Sequence, residues 1–219
     1  MSSDDELFWR LFALVQMIPE LPAQNVINWL SDDGAHPPDI AGLEGLSISR
    51  LESTWPGDPD SMTFDRWQQV LACLHGELPE HLSVIHSSHR APQLQVAFAS
   101  QDGLTINGHF GQCRLFFLYG FDDNGYWLSG LRRFADVPGE ESNETRVRLV
   151  EDCQLLFCEA IGGPAAARLI RYNIHPMKVS VGTTIDEQCQ AVSQMLSGSL
   201  PPWLARRLER ENPLEHRVF

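Results

Sequence analysis

The sequence of 219 residues predicts two modules of different class, an all-α front half and an α/β back half with a mixed sheet. Two observations predict this. Apolar residues recur at three- and four-residue spacing up to about residue 80, and fall into short strand-like runs after residue 92. Charge divides near the same place. Residues 1–89 hold 14 acids against Arg10, Arg50 and Arg66, a net of −11, while residues 90–219 hold 15 acids against 13 bases, a net of −2. The boundaries that follow are 1–80 for the helical module, 81–92 for a linker, 93–198 for the α/β module and 199–219 for a tail.

The front module reads as short helices. Leu7, Phe8, Leu11, Phe12, Leu14, Val15 and Ile18 give a first amphipathic helix, with Ser3 and Glu6 as its capping box and Pro19 as its end. Pro22 opens a second, carrying Val26, Ile27, Trp29 and Leu30, and Gly34 stops it. Ile40, Leu43 and Leu46 form a third piece, and Ser47 caps a fourth through Leu51. Thr63 caps the last, whose core face is Phe64, Trp67, Val70, Leu71 and Leu74, with Gly76 as terminator. Nothing in this half is arranged for catalysis. Its aromatic residues are spaced for core packing, and a compact acidic helical module without site chemistry is expected to bind a protein partner.

His81, His86 and His89 lie in the linker at spacings of five and three, without a helical pattern or a neighbouring cysteine. A polar connection is the expectation there.

The back module opens with a strand at Leu94–Ser100, then a very apolar strand at Arg114–Tyr119. Asp122-Asp-Asn-Gly125 is a hairpin signal, and Tyr126–Phe134 returns as the third strand. Asn143 is expected to cap a helix carrying Val147 and Val150. Cys153–Cys158 is the fourth strand, Gly162-Gly-Pro164 opens a helix through Tyr172, and Lys178–Val181 is the fifth strand. Thr184 and Glu187 make a capping box for a helix through Leu196. The order β-β-β-α-β-α-β-α predicts a ribonuclease-H-like mixed sheet, with strands one and four as parallel neighbours.

In that topology loops 101–112 and 159–163 share the sheet edge where open α/β sheets bind ligands. His109 lies in the first loop between Gly108 and Gly111, which leaves its imidazole exposed as a soft-metal ligand candidate. Cys113 stands beside it, open between burial and a second ligand role. Gly162 and Gly163 start a helix whose N–H groups suit negative charge, and Arg168 and Arg171 follow on that helix. An anionic ligand, with or without metal, fits such a set. His175, before Pro176, is expected to be structural.

Several classes are excluded. The net charge of −13 disfavours nucleic acid. No apolar run approaches the roughly 18 residues of a membrane helix. The amino terminus has neither the basic nor the apolar region of a signal peptide, and the five dispersed cysteines form no zinc spacing and fit a reducing cytoplasm. A ribonuclease-H-like hydrolase needs clustered carboxylates on strands one and four. Strand one has none, Asp102 lies beyond it and Glu159 ends strand four, so no enzyme is expected. No P-loop is present: Gly162-Gly-Pro lacks the lysine and serine.

Asn107-Gly-His109-Phe110-Gly111-Gln-Cys113 before a Phe-rich strand resembles the dinitrogenase iron–molybdenum cofactor-binding family. Gly162-Gly-Pro-Ala-Ala-Ala167, leading to Asn173-Ile-His-Pro-Met-Lys178, resembles its second block, and Leu200-Pro-Pro-Trp-Leu204 its tail. The likeness covers about residues 93–205. The acidic front half, with Leu7-Phe8-Trp9-Arg10, is similar to the two-domain NifY/NafY-type members, closest to the NifY type. The resemblance implies a nitrogenase assembly chaperone in the cytoplasm, not an enzyme. Its cargo would be the iron–molybdenum cofactor, and its partner apo-dinitrogenase, the cofactor-free MoFe protein of α and β subunits, with other cofactor-assembly proteins as further partners. The front module would be a sterile-alpha-motif-like docking domain. His109 would be the metal ligand, within a cofactor-binding set of His109, Phe110, Gly111, Cys113, Gly162, Gly163, Arg168 and Arg171. The arginines, with Arg114, would neutralise carboxylates of the cargo. A rival implication is a chaperone that holds apo-dinitrogenase without carrying cofactor.

Overall fold

A computed structural model describes residues 3–31, 38–82, 91–198 and 201–211. The chain divides into two compact units, Met1–Ser83 and Val84–Phe219.

Among the described residues the first unit carries five α-helices, α1 (Ser3–Met17), α2 (Ala23–Leu30), α3 (Ile40–Glu44), α4 (Ile48–Ser53) and α5 (Phe64–Leu74), and two single 3-10 turns at Pro59–Ser61 and Glu80–Leu82. Ser47 and Thr63 cap α4 and α5 as expected, each accepting the N–H three residues on. Gly76 takes φ +99°, a left-handed conformation that ends α5 at little cost. Trp9, Leu14, Ile18, Val26, Leu43, Leu51, Val70 and Leu74 form the core. Two of this half's three bases hold helices together. Arg10 is 4% exposed; its guanidinium donates to the Leu74 carbonyl at 2.8 Å and pairs with Glu6 and Glu44, tying α1 to α5 and α3. Arg66 donates to the carbonyls of Ser61 and Met17 and to Glu20, whose carboxyl its hydrogen bond holds below the usual range. Phe64 departs from expectation. It is 62% exposed: a side chain at the first helical position leans back over the incoming chain instead of onto the core face. The Ser3 side chain of the expected capping box, Gly34, His86 and His89 lie outside the described residues.

The second unit is a five-stranded sheet with helices. Its elements are β1 (Leu94–Ala99), β2 (Leu115–Asp122), β3 (Gly125–Arg133), α6 (Ser142–Arg148), β4 (Leu155–Cys158), α7 (Gly163–Arg171), β5 (His175–Lys178), α8 (Ile185–Ser197) and α9 (Pro202–Glu211). The strand order is β3-β2-β1-β4-β5. β1–β2 and β2–β3 are antiparallel; β1–β4 and β4–β5 are parallel. The mixed sheet and the parallel β1–β4 pair agree with expectation. One face carries Ala97, Ala99, Phe116, Leu118, Leu156 and Cys158 in a core that includes Val147 of α6 and Ala165 and Leu169 of α7. On another set of alternate positions Phe98 stacks on Phe157 and meets Tyr119 edge-on. All five cysteines are free and buried. No helix among the described residues is long and apolar enough to cross a membrane.

Three local expectations are corrected. Asn143 does not cap α6; the cap position is Glu141, without a side-chain bond, and Asn143 lies inside the helix. The fifth strand is His175–Lys178 instead of 178–181. Asn173, at φ 61°, turns the chain sharply after α7, so pairing with β4 begins at once. Pro176 is tolerated because β5 is an edge strand, where a missing N–H costs no ladder bond. The tail also carries a helix, α9, with Leu204 buried and Trp203 stacked on His175 at 4.4 Å between ring centroids.

Candidate functional site

Loop 100–113 leaves β1 and is organised by one carboxylate. Asp102 accepts from the Leu104 and Thr105 N–H groups, both at 2.8 Å, and from the hydroxyls of Thr105 and Ser100. Burial alone would raise its pKa; the bonds from Thr105, Leu104 and Ser100 outweigh that and hold the carboxyl below its ordinary value. Asp102 is therefore spent on its own loop. The Asp-Gly-Leu-Thr pattern was a legible turn signal for this role.

The loop then crosses the exit of β4. Gly108 N–H donates to the Ala99 carbonyl at 3.0 Å, and Glu159 N–H to the Gly108 carbonyl at 3.0 Å. Phe110 N–H donates to the Ala160 carbonyl at 2.8 Å, so His109 is bridged to Ala160 in parallel. The His109 carbonyl accepts from both Gln112 and Cys113. The backbone of His109 is thus fixed on two sides while its side chain stays 54% exposed. Its Nε2 lies 3.2 Å from Glu159 Oε1.

The two glycines beside the motif differ in purpose. A Cβ on Gly108 would lie 2.8 Å from the backbone of Ala99, so only glycine permits this close approach. On Gly111 the nearest atom would be Asn143 Oδ1 at 3.6 Å, an ordinary contact. Gly108→Ala should therefore cost about 2–3 kcal/mol by overpacking, and Gly111→Ala less than about 1 kcal/mol. Denaturant midpoints of the two variants check this; equal midpoints would contradict it.

Phe110 is placed differently from a cargo contact, and Cys113 takes the buried alternative of the two left open for it. Both are fully buried. Phe110 packs in the α6/α7 core, its ring 5.9 Å from Phe116. Cys113 donates its thiol to the Leu115 carbonyl at 3.0 Å, and burial raises its pKa. A neutral, enclosed thiol is not poised as a metal ligand. Arg146 seals this side, its Nε donating to the Cys113 carbonyl at 3.0 Å and its guanidinium lying over the Phe134 ring.

Gly162 and Gly163 meet the same edge. Neither has a positive φ, and a Cβ on either would meet nothing within 4 Å. Neither the backbone nor the packing requires glycine there. α7 has no side-chain cap at Gly162, so its first-turn N–H groups receive no acceptor from the cap residue.

Arg168 and Arg171 do not join them. A helix that follows a parallel strand runs back across the sheet. Nine residues at about 1.5 Å each carry α7 about 13 Å away from this edge. Arg171 ends the helix, close before His175, which is level with Leu155 at the start of β4. Arg168 is taken by Glu141 and Glu144 of the α6 region. Among the described residues, Arg114 and Lys178 are cations at the strand ends nearest the site on this edge, and Arg133, in register with Leu115, stands one strand further out. Arg114 is 70% exposed and lies 3.7 Å from Asp136. Lys178 is exposed and in register with Cys158, one residue before Glu159. Burial pushes the Cys158 thiol up to about 11, with the Lys178 charge pulling the other way. The sequence reading passed over Lys178 because only strand register brings it to this edge. Among the described residues no three His, Cys, Asp or Glu side chains gather as a metal-holding group.

Comparison with known proteins gives the family. Residues 93–195 match the family described as dinitrogenase iron-molybdenum cofactor. The chain is 51% identical over 209 residues to the protein NifY of Klebsiella pneumoniae, covering 95% of this chain and 91% of that protein. It is 30% identical to the protein NifY of Azotobacter vinelandii, over 78% of this chain and 76% of the relative. It is 33% identical to the protein NifX of Sinorhizobium fredii, over 59% of this chain and 87% of the relative. A chain that shares half its residues with one NifY over nearly its whole length, and has the iron–molybdenum cofactor domain in its second unit, belongs to the NifY/NifX family.

Proposed function

We propose that this protein is a nitrogenase assembly chaperone that carries the iron–molybdenum cofactor as cargo and docks on apo-dinitrogenase. The observation that carries the reading is His109: an exposed imidazole on a backbone pinned from both sides, at the edge where the loops after β1 and β4 meet. A neutral imidazole suits iron or molybdenum. The uncapped start of α7 at Gly162 and Gly163 suits the carboxylates of an anionic cargo, and Arg114 and Lys178 supply attraction at the same edge. Phe110 and Cys113 serve this site as anchors beneath the loop, and Gly111 as part of its turn. The reading is non-catalytic. β1 offers no acid, Asp102 is consumed by its loop and Glu159 faces His109.

The helical unit, read as a sterile-alpha-motif-like docking module, takes the partner role. Its bases Arg10 and Arg66 are occupied internally, which leaves its surface dominated by acids. Tethering it to the second unit raises the cargo's effective concentration at the docked partner. The rival, a chaperone that never carries cofactor, draws on the lack of a multi-residue metal-holding group among the described residues.

Anaerobic mixing of the full chain with isolated iron–molybdenum cofactor tests the reading, by co-elution of molybdenum and iron with the protein. Co-elution is expected; retained apo-dinitrogenase binding without it would favour the rival. Replacing Arg114 and Lys178 by glutamine should weaken cofactor binding and flatten its salt dependence, since exposed charges are screened over about 10 Å at 0.1 M salt. Replacing Arg168 and Arg171 should leave the salt slope unchanged. Equal slopes in all three proteins would remove the two cations from the site.

A further inference from the structure

We infer that Glu159 is the positioning residue of His109: it accepts the Nε2 proton and thereby presents Nδ1 to the metal cargo. This deepens the reading of His109 as a ligand and rests on it.

The pair is built by the fold. Glu159 N–H donates to the Gly108 carbonyl, and Phe110 N–H to the Ala160 carbonyl. Those two bonds bracket His109 on one loop and Glu159 on the other, so the 3.2 Å approach of the side chains follows from a fixed crossing of backbones. Two long side chains meeting by chance at a surface would lack that frame. Glu159 is also the more enclosed partner, 24% exposed against 54% for His109.

The charge of Glu159 needs a reason. A carboxylate beside a site for anionic cargo repels that cargo, and the other acid of these loops, Asp102, is occupied by its own hydrogen bonds. An ionised carboxylate only accepts hydrogen bonds. The ring nitrogen facing it, Nε2, is therefore the one that carries the proton, and whenever the ring is neutral its lone pair lies on Nδ1. Among the described residues Nδ1 makes no hydrogen bond. Metal-binding histidines commonly donate their second N–H to a carboxylate, which fixes the ring and raises its basicity. Glu159 stands where that role requires it, and its repulsion of the cargo is offset by the stronger metal bond.

The two roles have effects of opposite sign, which makes the test decisive. The full chain carrying Glu159→Gln or Glu159→Ala, each alone and combined with His109→Ala, is titrated anaerobically with isolated iron–molybdenum cofactor. Gln keeps an acceptor oxygen, so E159Q should bind within about threefold of the parent. E159A should weaken binding about tenfold or more. In the His109→Ala background E159A should cause no further loss. A cargo-free measurement runs beside it. Imidazole ¹H–¹⁵N spectra of the metal-free chain should place the His109 proton on Nε2, with slowed solvent exchange in the parent and in E159Q but not in E159A. Tighter cofactor binding by E159A would make Glu159 a mere repulsive charge and overturn the inference. So would a proton on Nδ1 in the parent. Full affinity in His109→Ala alone would instead strike the ligand reading, and the ring spectrum would still decide which nitrogen faces Glu159.

Discussion

His109→Ala should fold like the parent and bind isolated iron–molybdenum cofactor at least about a hundredfold more weakly. Two physical quantities set this expectation. The side chain is 54% exposed and its one side-chain partner among the described residues is Glu159, an exposed-type pair. Such pairs are worth about 0–1 kcal/mol, so the denaturant midpoint should barely move. A metal bond is worth far more. Structural zinc sites gain about 10–16 kcal/mol over four ligands, or about 3 kcal/mol each. At about 1.4 kcal/mol per tenfold, one lost ligand is about a hundredfold in affinity. Anaerobic titration followed by metal analysis measures the affinity, and urea unfolding measures the stability. Unchanged affinity in a folded variant would remove His109 from the site.

Phe110→Ala, one residue away, should do the reverse. It should cost about 3–5 kcal/mol of stability in the second unit, because a fully buried ring leaves a cavity that its neighbours only partly fill. Phe116, Cys158, Ala165 and Leu169 belong to the same cluster, under α6 and α7. The ring is also the hydrophobic pin of the His109 loop. Its loss should loosen the backbone bonds to Ala160 and Cys113 and lower cofactor affinity indirectly. Phe110→Leu, which refills most of the volume, should recover most of both. Unfolding curves that follow the two units separately should show the shift in the second unit alone. A Phe110→Ala variant with parental stability but lost binding would instead make the ring a contact for cargo. The contrast between neighbours is the useful part: position 109 reads out binding and position 110 reads out packing.

The sequence by itself determined most of the elements and the motif. Helical spacing, Ser47, Thr63 and the Thr184–Glu187 capping box located helices, because caps and periodicity are local properties of a few adjacent residues. Asp122–Gly125 located the hairpin for the same reason, and the mixed sheet with its parallel first and fourth strands followed from the alternation of element types. The glycine-flanked His109 marked the loop that matters. Tertiary structure decided which residues stand beside it. Arg168 and Arg171 are close to Gly163 in sequence, yet the helix carries them about 7 to 13 Å along its axis and away from the edge. Lys178 and Glu159 are distant from His109 in sequence, and strand register and crossed loops bring them to its edge. Phe110 and Cys113 sit within the motif, yet both turn into the core, where packing beneath α6 and α7 takes them. Tertiary structure likewise moved β5 to an edge that accepts Pro176 and gave the tail a helix against His175. Local chemistry is written in neighbouring residues; the company a side chain keeps is set by the long-range pairing of the sheet, which no short window of sequence contains.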